Sequence, residues 1–298
     1  MEKVNVFDQV ASNRRKSVLL GILVFLFLFA FVYSISYIFF PDFLFAILIF
    51  ATILIIAHTF ISYNYGDKIV LSSTGAKPVE DNRKYAYLIN TVEGLSIAAG
   101  IPKPKIYVIE SDEINAYSTG KDPKHASVAV TTGALENLDR DELEGVIGHE
   151  LSHIKNFDIR FGMIVAVMVG LVAIVSNIIL RSWIWGGQSN RRERGNAGLL
   201  ILVGLALAII SPIIVRLVQL AVSRKREYLA DASSAQLTRY PDGLADALEK
   251  IKKHNEGKMK VSEAVSHIFI ADPNKSPLDD LFATHPPIEE RIRILRAM

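Results

Sequence analysis

Two histidines and a glutamate have the spacing of a metal-binding helix in the segment His149-Glu150-Leu151-Ser152-His153. Side chains four residues apart lie on one face of an α-helix, so the imidazoles of His149 and His153 can bind one metal ion. Glu150 then lies beside a water molecule on that metal and can act as its general base. The pattern predicts hydrolysis by a metal-activated water. The alternative is a helix with two histidines on a partly exposed face.

A third protein ligand is needed, because a catalytic zinc ion keeps one of its four positions open for water. The chain contains no cysteine, so this ligand must be a histidine or a carboxylate. The metzincin pattern is excluded, since it requires Gly at 156 and His at 159, where this chain has Asn156 and Ile159. The histidine candidates outside the motif are His125, His254, His267 and His285.

Glu227 is the best candidate for the third ligand. If residues 161–222 form a membrane hairpin, its two ends return to one surface and bring Glu227 beside the motif histidines. Asp231 lies one helical turn further on and can accept the free N–H of a ligand histidine. The alternative is that residues 223–231 form a solvated charge cluster at the end of a membrane helix.

The composition of the 298-residue chain indicates contact with lipid. Hydrophobic residues make up 50% of the chain and charged residues 21%, and the mean hydropathy of +0.29 is high for a soluble domain of this length. The net charge of +2 provides no strongly basic field. We therefore expect a lipid bilayer as a partner and no nucleic acid.

Four uncharged stretches are long enough for membrane helices: residues 17–40, 43–63, 161–180 and 198–215. A helix over 17–40 is about 36 Å long, which exceeds a hydrocarbon layer of about 30 Å. Paired in chain order, the stretches predict two membrane hairpins.

Positive charges predict the orientation of these hairpins. Arg14, Arg15 and Lys16 precede the first stretch, and no Lys or Arg separates the first two, which places the N-terminus and the region after Tyr63 in the cytoplasm. The loop over 181–197 opposes this orientation, since it contains four arginines.

Residues 64–160 have the mixed composition of a water-exposed domain. A helix is predicted over 82–99, and two neighbouring strands over 106–109 and 127–131, with residues 111–124 as the loop between them. The strand around residues 128–131 is expected to bind an extended peptide by strand addition.

The helix that carries the two histidines is predicted to begin at Asp139. Asp139 and Glu142 fit a capping box, and apolar residues then recur at helical spacing as far as Ile154.

The combined pattern resembles the HtpX-type membrane zinc endopeptidases, relatives of the CAAX prenyl endopeptidase. The resemblance covers nearly the whole chain and includes Asn115-Ala116-Tyr117, Gly120, the run Val128–Gly133, Glu227-x-x-x-Asp231 and His285-Pro286-Pro287 beside the histidine motif. It implies a gluzincin-like catalytic domain on the cytoplasmic face of the membrane. It also implies a role in membrane-protein quality control and stress response.

Two further residues gain a role from this resemblance. His285 precedes two prolines and by itself reads as a loop histidine, but the resemblance implies a group near the zinc that stabilises the tetrahedral oxyanion. Asn115 is a common turn residue, and in the family it belongs to a substrate-facing motif.

We therefore expect a mainly α-helical membrane protein with a small β-sheet, in which a gluzincin-like zinc protease domain is carried by a four-helix membrane anchor. The expected segments are an N-terminal hairpin (1–63), a first catalytic part (64–160), a second hairpin (161–222) and a second catalytic part (223–298). One Zn²⁺ per chain is held by His149, His153 and Glu227. The expected location is the plasma (inner) membrane, with misfolded or damaged membrane proteins as polypeptide substrates.

Two other functions remain open on the sequence. One is a CAAX-type prenyl-protein endopeptidase, which uses the same chemistry. The other is a non-catalytic membrane scaffold with a structural zinc. Structural zinc sites are usually closed by four ligands, and they have no use for a glutamate after the first histidine, so the sequence favours an enzyme.

Overall fold

The computed structural model describes residues 41–80, 83–164, 224–259, 261–274 and 285–298, together with isolated positions between 15 and 37. The predicted span over 198–215 and the arginine-bearing loop lie outside these residues, as does most of the spans over 17–40 and 161–180. The four-helix anchor and the division into four segments therefore stay predictions.

The described residues form a mainly helical protein with one small sheet. The helices are α1 (Leu44–Ser73), α2 (Ala86–Ala99), α3 (Thr132–Asn137), α4 (Arg140–Lys155), α5 (Arg224–Thr238), α6 (Pro241–His254), α7 (Glu263–Ser266) and α8 (Ile288–Leu295). The strands are β1 (Lys77–Pro78), β2 (Lys105–Ile109), β3 (Ala116–Gly120) and β4 (Ala126–Thr131). A further helix begins at residue 158 and is described as far as 164.

Helix α1 is the one described helix that is long and apolar enough to cross a membrane. Its apolar side chains are largely uncovered; Phe45, for example, is 80% exposed and Phe60 is 65% exposed. The helix continues past the predicted end at Tyr63, and its last turns bury Val70 and Leu71 against the sheet. The same helix thus joins the apolar segment directly to the globular domain.

The sheet has the strand order β1-β2-β4-β3. Strands β2 and β4 are neighbours, as the sequence predicts, and they run parallel, while β1 and β3 are antiparallel edge strands. Part of the predicted loop over 111–124 is in fact strand β3. Its five residues, Ala-Tyr-Ser-Thr-Gly, are all buried, so the alternation of apolar and polar residues that reveals a half-exposed strand is missing.

The expected strand addition at residues 128–131 is wrong. Strand β4 pairs with β2 on one side and with β3 on the other, so both of its edges are occupied. Its neighbour β3 is an edge strand, as is β1 at the other side of the sheet. The first half of β3 is covered by the chain itself, because Ile270 N donates to Ala116 O (2.9 Å) and Phe269 bridges to Tyr117.

Helix α4 begins as predicted. The Asp139 side chain accepts from Glu142 N (3.0 Å), and the Glu142 side chain accepts from Asp139 N (2.7 Å), which completes the capping box. Two glycines let later helices approach α4 closely. A Cβ at Gly145 would lie 2.6 Å from Leu244 N in α6, and one at Gly148 would lie 2.7 Å from Ser234 Oγ in α5.

The hydrophobic core is built from two parts of the chain, one before residue 165 and one after residue 223; the residues between them are not described by the structure. Members from the first part include Leu88, Val128, Ile147 and Leu151, and members from the second include Leu244, Leu248, Ile251 and Leu295. The two ends of the predicted second hairpin thus return to one folded unit. This packing brings the start of α5 beside the histidine motif on α4.

Candidate metal centre

His149, His153 and Glu227 converge on one point. Their ligand atoms all lie within 4.8 Å of one another. Glu227 carboxylate oxygens lie 3.7 Å from Nε2 of each histidine, and the two Nε2 atoms are 3.1 Å apart. A tetrahedral zinc ion with bonds of about 2.0 Å separates its ligand atoms by about 3.3 Å. The three side chains therefore have the spacing of a zinc site.

The chemistry of the donor set also fits a cation. His149 Nδ1 lies 2.9 Å from Asp231 Oδ1, and His153 Nδ1 lies 3.1 Å from Asp158 Oδ2. Because a carboxylate only accepts, each Nδ1 carries a proton, which leaves the Nε2 lone pair of the neutral ring as a metal donor. Two such lone pairs and a carboxylate pointed at one another repel unless a proton or a metal ion lies between them.

Each of these two carboxylates is in turn held by an arginine. Arg291 is 1% exposed and donates two hydrogen bonds to Asp231, from Nε (2.9 Å) and from Nη2 (2.7 Å). Arg226 lies 3.4 Å from Asp158 and stacks over Phe161, with 4.7 Å between its guanidinium and the ring centre. The orientation of both histidines is thus fixed by buried ion pairs.

The charged groups around the site shift the pKa values of Glu227, Asp231 and His153. Burial opposes the charge of Glu227, but the imidazoles of His285, His153 and His149 hold the pKa of its carboxyl well below its usual range. Burial likewise opposes the charge of Asp231, yet Arg291 and His149 lower its pKa to about 2. Burial would lower the pKa of His153, but Asp158 and Glu227 raise it to about 9. A metal ion must therefore displace a proton from His153 when it binds.

Glu150 is 1% exposed and lines the same cavity, whose volume is about 50 Å³. Ser118 on strand β3 donates to Glu150 Oε2 over 2.7 Å, which fixes the carboxylate. The edge strand and the motif helix are therefore linked through the residue expected to be the general base. Three more of the lining residues are His267, Ile268 and His285.

His285 lies at the candidate metal centre, whereas Asn115 lies outside it. His285 Nδ1 is 2.9 Å from Glu227 Oε2, and its Nε2 has no hydrogen-bond partner among the described residues. Asn115 is 1% exposed, donates to Ala271 O (2.9 Å), and is outside the cavity lining. Its amide holds the segment that covers β3, so the geometry favours a positioning role for Asn115 over contact with substrate.

Four residues of the centre are absent from the sequence-based assignment: Ser118, Asp158, Arg226 and Arg291. Arg291 had a recognisable signal, because it lies on the buried face of α8 with Ile288 and Leu295, where an unpaired charge would be costly. Asp158 follows His153 by five residues, beyond the reach of helical spacing. The chain turns at Phe157, whose φ is 61°, and this turn brings the Asp158 side chain to His153.

The site combines an H-E-x-x-H helix, a glutamate from a second helix and an adjacent edge strand. This combination is typical of metallopeptidases whose metal is held by two histidines and a glutamate. Residues 82–298 match peptidase family M48, and the chain belongs to that family. The sequence resemblance is thereby confirmed, and the protein is a metalloprotease.

Relatives match over the full length of the chain. A protease HtpX homolog of Caldanaerobacter subterraneus subsp. tengcongensis is 46% identical over 303 residues, covering 100% of this chain and 99% of the relative. A protease HtpX homolog of Dictyoglomus thermophilum is 43% identical over 300 residues, with 100% and 96% covered. The crystal structure of S. mikatae Ste24p has 22% sequence identity and a TM-score of 0.49, covering 97% of this chain and 67% of Ste24p.

Proposed function

We propose that the protein is a zinc-dependent endopeptidase anchored in the plasma (inner) membrane, in which His149, His153 and Glu227 hold one Zn²⁺ per chain. The observation that carries the proposal is the convergence of two Nε2 lone pairs and a buried carboxylate, with both Nδ1 protons bound by carboxylates. When bound, zinc supplies a lowered water pKa and a polarised scissile carbonyl.

Residues of the chain itself carry out proton transfer, stabilise the transition state and orient the ligands. Glu150 accepts a proton from the attacking water and passes it to the departing amine, while Ser118 holds the carboxylate in place. His285 stabilises the charge that develops on the carbonyl oxygen when its ring carries both protons, with Nδ1–H directed at Glu227 and the unpartnered Nε2–H directed at that oxygen. Asp231 and Asp158 keep the two ligand rings in one tautomer and one orientation.

Substrate binding is proposed at the open half of strand β3. Thr131 N donates to Asn115 O (3.0 Å), so by antiparallel alternation the backbone groups of Ser118 and Gly120 point away from β4. An extended peptide can pair there beside Glu150 with little side-chain selectivity. This mode suits unfolded segments of misfolded or damaged membrane proteins and supports a role in quality control under stress.

The chemistry is tested with purified full-length protein in detergent. Zinc content and cleavage of casein are measured before and after a chelator, and again after zinc is restored. We expect about one zinc per chain, loss of cleavage with the chelator and recovery with zinc. A purified protein that cleaves casein equally well without metal would contradict the proposal.

The topology is tested by cysteine labelling in intact cells. We propose four membrane segments with the active site on the cytoplasmic side, so cysteines at Lys105 and Lys124 are expected to react only after the cells are opened. Labelling of a Lys124→Cys variant from outside would overturn the orientation and the quality-control role together.

A further inference from the structure

Two cationic side chains, Lys121 and Arg160, contact helix α1 where its uncharged stretch ends. Lys121 follows strand β3, and its Nζ lies 5.5 Å from the centre of the Tyr63 ring. Arg160 lies just beyond α4, with its guanidinium 5.9 Å from the same ring. Lys121 Nζ also lies within hydrogen-bond distance of Asn64 Oδ1, at 3.3 Å. We call Tyr63, Asn64, Lys121 and Arg160 the basic collar.

The collar is built from folded elements and is not a set of independent surface lysines. Arg160 Nε donates to the backbone carbonyl of Lys121 over 2.6 Å, which ties the end of β3 to the helix that begins at residue 158. The helix that begins at residue 158 packs closely against α1 at Gly66, where an added Cβ would lie 2.9 Å from the Met163 side chain. This hydrogen bond and this helix contact position Arg160 between the end of β3 and α1.

The positive charge of the collar is not neutralised by the described part of the chain. Neither Lys121 nor Arg160 has a carboxylate within ion-pair distance there, whereas the nearby Arg226 is paired with Asp158. The adjacent Asp122 is engaged elsewhere, since it accepts from Lys124 N and from His125. Two like charges within 6 Å of one ring leave a site that attracts an anion.

The collar lies where the exposed apolar part of α1 ends. The side chains on the apolar side of Tyr63 are exposed, with Phe60 at 65% and Ile56 at 58%, and the first charged residues of the helix, Asp67 and Lys68, follow within two turns. Tyrosine and basic residues are enriched at this boundary, and basic residues there attract anionic lipids.

We propose that the basic collar binds the phosphate of an anionic phospholipid, whose acyl chains lie along the exposed face of α1. The proposal rests on the membrane location given under the proposed function. A free phosphate would satisfy the two cations alone, whereas a phospholipid also covers Phe60 and Ile56. Because Gly120 precedes Lys121 and ends the open edge of β3, the bound lipid holds this edge next to the membrane surface.

The test is a lipid titration of the full-length protein in detergent micelles, read as the rise in thermal midpoint on binding. Phosphatidylglycerol, phosphatidylcholine and inorganic phosphate are compared. We expect saturable stabilisation by phosphatidylglycerol and no comparable effect of the other two probes. Equal stabilisation by phosphatidylcholine would overturn the role of charge, and equal stabilisation by inorganic phosphate would overturn the lipid assignment.

Variants locate the site. Lys121→Gln should weaken phosphatidylglycerol binding by about 5-fold, and the double variant with Arg160→Gln by about 25-fold. Arg160→Lys, which keeps the charge, should retain binding and guards against loss of folding in the glutamine variant. Lys124→Gln is the matched control, since it removes an exposed charge from the same loop; binding that falls equally in this control would refute the collar.

The outcome is separable from the proposed function. Zinc content and casein cleavage report the catalytic centre and do not depend on phosphatidylglycerol. A protein that requires detergent but binds the two phospholipids equally would leave the membrane location standing and remove the collar. A protein that stays soluble without detergent would remove the membrane location itself.

Discussion

Replacing Glu227 by glutamine removes one negative charge from the centre without changing its volume. The carboxylate is 3% exposed and lies 3.7 Å from both ligand nitrogens, so no water can substitute for the lost charge without rearrangement. Loss of a residue that only orients a ligand typically costs 10–100-fold in metal affinity. Loss of the ligand charge itself should cost at least ~100-fold, or about 2.7 kcal/mol.

The assay is competition for zinc against a chelator of known affinity, alongside casein cleavage at saturating zinc. Asp231→Asn should be weaker in effect, about 10–100-fold, because Asp231 orients His149 without touching the metal. Lys225→Ala is the control, since Lys225 is exposed and its change should alter neither quantity. If Glu227→Gln binds zinc as tightly as the wild type, the third ligand lies elsewhere, and His285 is the next residue to test.

Three further predictions follow from the groups that surround the centre. Arg291→Met leaves the buried Asp231 charge with His149 as its remaining partner and should lower stability by about 3 kcal/mol, seen as a lower thermal midpoint; an unchanged midpoint would show that the charge of Arg291 does not stabilise Asp231. Ser118→Ala removes the 2.7 Å hydrogen bond to Glu150 and should lower kcat about tenfold while zinc content stays constant; loss of zinc instead would place Ser118 in metal binding. Burial lowers the pKa of His267 to about 4, below the usual 6.5, so the unfolded state takes up a proton that the folded state refuses. Stability should therefore be full above pH 6.5 and fall by about 3 kcal/mol as the pH drops to 4, and His267→Gln should flatten this part of the pH profile in thermal unfolding.

Local signals in the sequence predicted the motif helix well. The capping box at Asp139 and Glu142 is a short-range hydrogen-bond pattern, and both of its bonds are present in the structure. Strands β2 and β4 were also predicted as neighbours, because each is a short β-branched run, whereas their parallel direction is a finding of the structure. These features depend on residues within a few positions of one another.

Strand β3 and the supporting ion pairs could not be predicted in the same way. The sequence of β3 has no apolar alternation, and its identity as an edge strand depends on which neighbours β4 acquires. Asp158 and Arg226 are 68 positions apart, and Asp231 and Arg291 are 60 apart. Such pairs are defined only once α5 and α8 pack beside the motif helix.

The approach of Glu227 to the histidines was inferred from a predicted hairpin that lies outside the described residues. Within the described residues, two glycines on α4 permit the close packing that brings them together, and this role is not visible in a single sequence. Gly148 precedes His149 and lets α5 come within contact of α4 through Ser234. A bulkier residue there would push α5, and Glu227 with it, away from the histidines.

The most direct test of the central claim is the zinc content and proteolytic rate of Glu150→Gln, measured on one preparation. Glu150 lines the cavity but lies outside the group of three ligands, so metal binding and catalysis should separate at this residue. We predict zinc near wild-type occupancy and proteolysis lower by at least ~100-fold, as expected when a general base is lost. Activity comparable to that of the wild type, or loss of zinc together with activity, would contradict the assignment of Glu150 as the base beside a metal held by His149, His153 and Glu227.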